Sequence, residues 1–368
     1  MKPSAISMPL AEPRLRRRKA NYDSIRYGAM NEDKTAMKKL RGQARKSASR
    51  KPRLERSEGS IADVRGISVG HAHDARAQTG CTAILCGAQG AVAGVDVRGA
   101  APGTRETDLL DPSNLVERVH AVVLAGGSVF GLDAACGVVR YLEERGIGFD
   151  TGAARVPIVP AAVIFDLAVG DAQVRPDSRM GYEACERATS NAVEEGRVGA
   201  GAGATIGKIS GIKLASPGGI GTASMKIAGG ATVGALVVVN AFGDVVDPAS
   251  GKVLAGARRA NGRGWLDSSR AIANAALQRP FPAIESTTLA VVATDARLTK
   301  AQARKVAAMA HDGMARAIRP VHTMFDGDTV FALSTGSIES DVTTIGAVAA
   351  ELVARAIARV GRMSSVRK

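Results

Sequence analysis

Three hydroxyls stand in a row, Ser286, Thr287 and Thr288, immediately before the apolar run LAVVA at 289–293. A side-chain hydroxyl attacks a carbonyl carbon well only when a base takes its proton and a rigid mount fixes its position. A chain cut before Thr287 would have its new N-terminus held rigidly by the strand that follows, which supplies the mount. The preceding stretch, AGARRANGRGWLDSSRAIANAALQRPFPA at 255–283, is polar, rich in Gly, Asn and Arg, and carries the single tryptophan. Connections of that length inside a compact domain tend to be functional, and this one leads straight to the Ser286–Thr287 bond.

Other constellations fit their chemistry less well. GAGATIGKIS at 201–210 evokes a phosphate loop, but GxxxxGK[ST] needs glycine where Ala202 stands and a hydroxyl where Ile209 stands. GAGAG at 199–203 lacks the third glycine of a dinucleotide loop, so close backbone packing is its expected use. His71 and His73 form a pair with zinc-ligand character, yet a catalytic site needs a third ligand, and the other histidines are the scattered His120, His311 and His322. DGDTV at 326–330 opens like a calcium loop and then fails, with Phe331 at the glycine position and no glutamate at the twelfth. Neither a metal nor a cofactor is expected.

The elements that must hold these residues alternate between short apolar runs and amphipathic segments beyond residue 60, the pattern of an α/β fold. HAVVLAGG at 120–127 predicts a buried strand ending in a glycine turn. A helix is predicted from Ser128 to Arg145, with Val129, Leu132, Cys136, Val139 and Leu142 inward and Gly146 closing it. Strands are predicted at 155–165, around 202–209, at 232–240 and at 288–294, with a hairpin turn in DPASG at 247–251. Thr299 and Gln302 form a capping-box pattern for a helix that turns Val306, Met309, Ala310, Met314, Ala317 and Ile318 inward, and a last helix is predicted from Asp341 to about Val360.

Charge and composition narrow the function classes. Residues 1–58 hold seventeen Lys or Arg against six Asp or Glu, which is most of the net charge of +14. With Tyr22 and Tyr27 as its only aromatics, this extension lacks stacking platforms, so nucleic acid is not the expected partner; it reads as a disordered basic tail. It also lacks the apolar stretch of a secretory signal, and its acids count against a transit peptide. No run approaches the ~18 apolar residues of a membrane span. Cys81, Cys86, Cys136 and Cys185 have no CxxC spacing and sit among apolar or small residues, which suits reduced, buried thiols and a cytoplasmic setting.

Two long blocks carry a family likeness: TDARLTKAQARKVAAMAHDGMARAIRPVHTMFDGDTVFALSTG at 294–336 and GTRETDLLDPSNLVERVHAVVLAGGSVFGLDAA at 103–135. They resemble the DmpA-type family of N-terminal-nucleophile hydrolases, which includes L-aminopeptidase/D-esterases and nylon-oligomer endo-hydrolases, with the closer likeness to the nylon-oligomer branch. The likeness spans about residues 61–368 and leaves out the tail. It implies a four-layered αββα sandwich, made as a precursor that cuts itself into a larger part, 59–286, and a smaller part, 287–368, and assembled into oligomers of these cleaved pairs.

The resemblance also implies roles. The cut falls at Ser286–Thr287, eight residues before Asp295, with Thr287 as nucleophile; relatives often have Asn or Gly where Ser286 stands. Asn240 matches a side-chain amide that donates to the oxyanion. Lys208 matches a lysine beside the nucleophile, and Asp326 and Asp328 match paired acids that orient the hydroxyl and the new ammonium. A tyrosine that completes the oxyanion site in some relatives has Phe165 as its nearest counterpart here. The expected function is a self-cleaving amide hydrolase, of aminopeptidase or amidase type, acting on peptides or small amides. Two alternatives use the same chain differently: an acyltransferase that passes the acyl group to an amine, and an uncleaved binding protein that uses the basic tail.

Overall fold

The computed structural model describes residues 59–274 and 286–366. The basic extension 1–58 and the end of the connection before Ser286 lie outside the described residues.

Two sheets carry the fold. The first has five strands, in the order Ser68–Asp74, Thr79–Leu85, Ala121–Ala125, Ala161–Val163, Thr104–Arg105. The second has six, in the order Gly219–Lys226, Thr232–Asn240, Thr287–Ala296, Thr329–Ile338, Ala91–Val97, Arg118–Val119. Side chains alternate between the faces of a strand, and the alternation is visible in what each face buries. Leu236, Val238, Leu289, Val291, Phe331 and Leu333 meet Ile84, Val122 and Leu124 of the other sheet, forming the central core. Ala235, Val237, Ala290 and Val292 point the other way, onto the helices Lys300–Ala317 and Val342–Val366. Ala83, Val123 and Ala125 of the first sheet likewise pack on the helices Ala134–Glu143 and Ser178–Glu186. Helices, sheet, sheet, helices is the αββα sandwich. Each fully buried Val, Leu or Phe in these layers stabilises the fold by roughly 1.5–3 kcal/mol relative to exposure.

The order of the second sheet matters for function. Strands Thr287–Ala296 and Thr329–Ile338 pair with each other in parallel and lie in the middle, flanked on both sides by strands from before residue 286. The two strands that follow Thr287 are therefore wedged between strands of the earlier part of the chain.

Several elements form where the sequence predicts them. The strands Thr232–Asn240 and Thr287–Ala296 and the hairpin between Asp244–Val246 and Val253–Ala255 are present. The Thr299–Gln302 capping box closes as expected, with Thr299 Oγ1 accepting from the Gln302 amide and Gln302 Oε1 accepting from the Thr299 amide. Other elements differ. The segment at Ser128–Asp133 is a 3₁₀ turn, and α-helix starts only at Ala134. Three residues per turn instead of 3.6 shifts the phase, so Val129 and Cys136 are exposed while Ala134, Ala135, Val138 and Leu142 face the sheet. Cys136 thus departs from the expectation of four buried thiols; Cys81, Cys86 and Cys185 are buried and free. The run 155–165 splits into Arg155–Val156 and Ala161–Val163 around Pro157 and Pro160, which cannot donate to a ladder. At 202–209 only Thr205–Ile206 is strand, because Gly207 adopts φ +77° and turns the chain.

Candidate active site

Asn240 ends its strand directly opposite Thr287 in the antiparallel register. By the two-residue alternation both side chains share the inter-sheet face with Val238 and Leu289, and both are buried.

The carbonyl of Ser286, the bond before Thr287, is the best-defined point of the site. Thr287 Oγ1 donates to its oxygen at 2.6 Å, and the backbone N–H of Gly327 donates to the same oxygen at 2.8 Å. Ser286 N–H in turn donates to Phe325 O at 2.7 Å, so the 325–327 segment clasps residue 286 from both sides. Only glycine fits at 327: a Cβ there would lie 2.6 Å from Ala101 O and 2.8 Å from Thr287 Oγ1.

Lys208 reaches the same place from the Gly207 turn, its own N–H donating to Phe242 O at 2.9 Å. Its Nζ donates to Asn240 O at 2.9 Å, Asn240 Oδ1 at 2.8 Å and Ser286 Oγ at 3.1 Å, which accounts for all three ammonium hydrogens. Burial pushes its pKa down to about 7, against the pull of Asp326, Asp328 and Asp166. Asn240 Oδ1 also accepts from Thr205 N at 3.0 Å, and Nδ2 donates to Phe165 O at 3.1 Å. An amide nitrogen carries two hydrogens, and among the described residues only one of these is hydrogen-bonded.

The two aspartates sit on either side of Gly327 and do different things. Asp326 Oδ2 accepts from the Thr323 amide at 2.8 Å and the Thr323 hydroxyl at 2.7 Å. Burial, then the facing charge of Asp328, pushes its carboxyl up to about 6. Asp328 Oδ1 accepts from the Thr288 amide at 2.6 Å, while Oδ2 accepts from His322 N at 3.1 Å and pairs with His322 Nδ1 at 2.8 Å. Among the described residues neither carboxylate hydrogen-bonds Thr287 itself in the uncut chain.

The five residues singled out from the sequence, Thr287, Asn240, Lys208, Asp326 and Asp328, with Ser286, lie together around the Ser286–Thr287 bond: Lys208 reaches Asn240 and Ser286, and Asp328 reaches the Thr288 amide, while Asp326 is held by Thr323. Sequence reasoning missed Gly327, Thr323, His322 and Asp166. The last is a buried carboxylate held by Gly127 N at 2.6 Å and Thr79 Oγ1 at 2.8 Å, its pKa raised by burial. The signal for Gly327 was present, a glycine between two acids, but nothing local says what its amide faces. His71 and His73 lie elsewhere: His71 Nδ1 is 2.9 Å from Thr82 Oγ1, and burial, with His73 next to it, lowers the His71 pKa to about 4. Among the described residues no group of three or more His, Cys, Asp or Glu is arranged to hold a metal ion, and no helix is long and apolar enough to cross a membrane.

Comparison with known proteins decides the class. The sequence pattern of peptidase family S58 matches residues 59–364. The chain belongs to peptidase family S58. Relatives of this S58 chain include an uncharacterised aminopeptidase of Mycobacterium leprae (strain TN), 45% identical over 339 residues that cover 81% of this chain and 88% of the relative. A 6-aminohexanoate-oligomer endohydrolase of Kocuria sp. (strain KY2) is 32% identical over 314 residues, 79% of this chain and 82% of its own. The expected likeness to the nylon-oligomer branch is thus present, beside a higher identity to a protein named as an aminopeptidase. Among solved structures, the L-aminopeptidase D-Ala-esterase/amidase of Ochrobactrum anthropi, described as a variant of the Ntn-hydrolase fold, superposes with TM-score 0.62 at 21% identity over 84% of this chain and 86% of that one. A Burkholderia sp. beta-aminopeptidase gives TM-score 0.60 at 23% identity over 83% and 86%. These two likenesses speak for the fold, and the family for a hydrolase of peptidase type.

Proposed function

We propose that this S58 hydrolase activates itself by cutting before Thr287 and then hydrolyses amides through the new N-terminal threonine. The observation that carries the reading is the convergence of Thr287 Oγ1 and the Gly327 amide on one carbonyl oxygen, that of Ser286. Thr287 Oγ attacks the Ser286 carbonyl carbon, and the Gly327 N–H holds the oxygen as it gains charge. Collapse breaks the C–N bond, the hydroxyl proton passing to the departing Thr287 nitrogen, and leaves Ser286 as an ester on Thr287 Oγ. Water cleaves that ester, giving a carboxylate on Ser286 and free hydroxyl and α-amine on Thr287.

In the second stage the α-amine takes the proton of Thr287 Oγ as it attacks a substrate amide. Asn240 Nδ2 has its second hydrogen for the oxyanion, a contribution worth ~10²–10³ in rate when such a donor is removed. Lys208, facing Asn240 and Ser286, supplies positive charge close to the new amine and lowers its pKa. The α-amine then returns the proton to the leaving amine, and water releases the acyl group. The substrates are peptides or small amides, the class that the aminopeptidase and aminohexanoate-oligomer relatives act on by name.

Intact-mass analysis of purified protein tests the reading. The wild type gives fragments 1–286 and 287–368, the smaller beginning with threonine, and Thr287→Ala stays a single 37.8 kDa chain without activity. Normal cutting of Thr287→Ala, or an uncut wild type that hydrolyses amides at full rate, would sink it.

A further inference from the structure

We propose that His322 is a positioning residue for Thr287, acting through Asp328 and the Thr288 amide; this rests on the self-cleavage reading above. Asp328 is fully buried and its two oxygens are divided between two tasks. Oδ1 holds the amide next to Thr287 at 2.6 Å, and Oδ2 is held by both the backbone N–H and the ring Nδ1 of His322, at 3.1 and 2.8 Å. A carboxylate only accepts, so the Nδ1 carries the proton.

The geometry of His322 is unusual in a way that serves this grip. Its φ is +56°, a left-handed conformation that a non-glycine residue adopts at some cost, and that conformation lets its backbone and its ring reach the same oxygen. The ring rests edge-on against His311, with centroids 4.9 Å apart. His311 is itself buried and anchored, its Nε2 lying 3.0 Å from Asp96 O. A rigid line thus runs from the helix Lys300–Ala317 through His311, His322 and Asp328 to the Thr288 amide. It ends one residue from the nucleophile. Without the ring, Asp328 keeps one partner on Oδ2 and gains freedom to rotate, and the start of the strand loses the contact that fixes Thr287 against Ser286 O.

Two variants that tolerate a left-handed backbone separate this role from packing. His322→Gly removes the donor, whereas His322→Asn supplies a short N–H donor in its place. The full chain is made by cell-free translation with a labelling pulse, and cutting is followed on gels, with melting measured on each purified variant. His322→Gly is expected to slow cutting roughly tenfold or more, the scale of one charge-assisted hydrogen bond, and His322→Asn to recover most of it. Wild-type speed in His322→Gly, an Asn variant as slow as the Gly one, or early melting of both overturns the proposal. Thr287→Ala runs alongside: if it stays whole while His322→Gly cuts normally, only the positioning role is lost, and if it is cut, the nucleophile itself has been misassigned.

Discussion

Asn240 and Thr287 face each other across an antiparallel strand pair, with no loop between the proposed oxyanion donor and the proposed nucleophile. Their spacing is set by the sheet ladder, which the valines and leucines on both faces hold in register. A slip by one residue would turn either side chain to the helix face and end the arrangement. The site is as rigid as the core behind it.

That placement has a consequence for the two fragments. Strands Thr287–Ala296 and Thr329–Ile338 lie between strands of the larger part, so fragments 1–286 and 287–368 should co-elute on gel filtration after cutting and separate only in denaturant. Thr288→Ala should still cut, because Thr288 shares the helix face with Ala290 rather than the face of Thr287. Spontaneous separation of the fragments in native buffer would contradict the sheet order.

Gly327→Ala puts a methyl group 2.6 Å from Ala101 O and 2.8 Å from Thr287 Oγ1. Displacing the loop moves the N–H off the Ser286 oxygen, so cutting should fall on the order of 100-fold, the effect of losing an oxyanion donor. The overpacking should cost about 1–3 kcal/mol of stability. Pulse-labelled cutting and denaturant melts measure the two separately.

Lys208→Met removes a buried charge. In the wild type the folded lysine loses its proton near pH 7 and the unfolded one near 10.5, so stability should rise with pH across that window. The methionine variant should lack this rise and be no less stable at pH 6, while hydrolysis drops about 100-fold. Urea titrations at several pH values, with activity assays beside them, check both halves.

Asp326→Asn should separate chemistry from folding. The folded carboxyl holds its proton up to about pH 6 and the unfolded one only to 3.8, so its own contribution to wild-type stability should fall as pH rises from 3.8 to about 6. Relative to the wild type, the variant's profile should lack that fall. Its hydrolysis should drop on the order of 100-fold, as for the loss of a group that orients the nucleophile. An unfolded variant would instead give Asp326 a structural role.

The sequence by itself determined the local elements and the family. The capping box at Thr299, the apolar run after Thr288 and the turn in DPASG are decided by neighbours a few residues apart, and they form as read. The family likeness, which extends beyond those two blocks, named Thr287, Asn240, Lys208, Asp326 and Asp328 because residue type and order survive in one dimension. Local pattern misjudged the first helix, where a 3₁₀ turn rotates Val129 and Cys136 outward, since helical phase depends on a pitch that tertiary packing chooses. Only the folded chain decided what meets the Ser286 carbonyl. The Gly327 amide is a backbone group and so invisible to residue type, and its approach depends on two strands pairing in parallel across some forty residues. The grip of His322 on Asp328 depends on a left-handed backbone and on a histidine from another layer, and the burial that shifts Lys208 and Asp326 exists only once both sheets have closed over them.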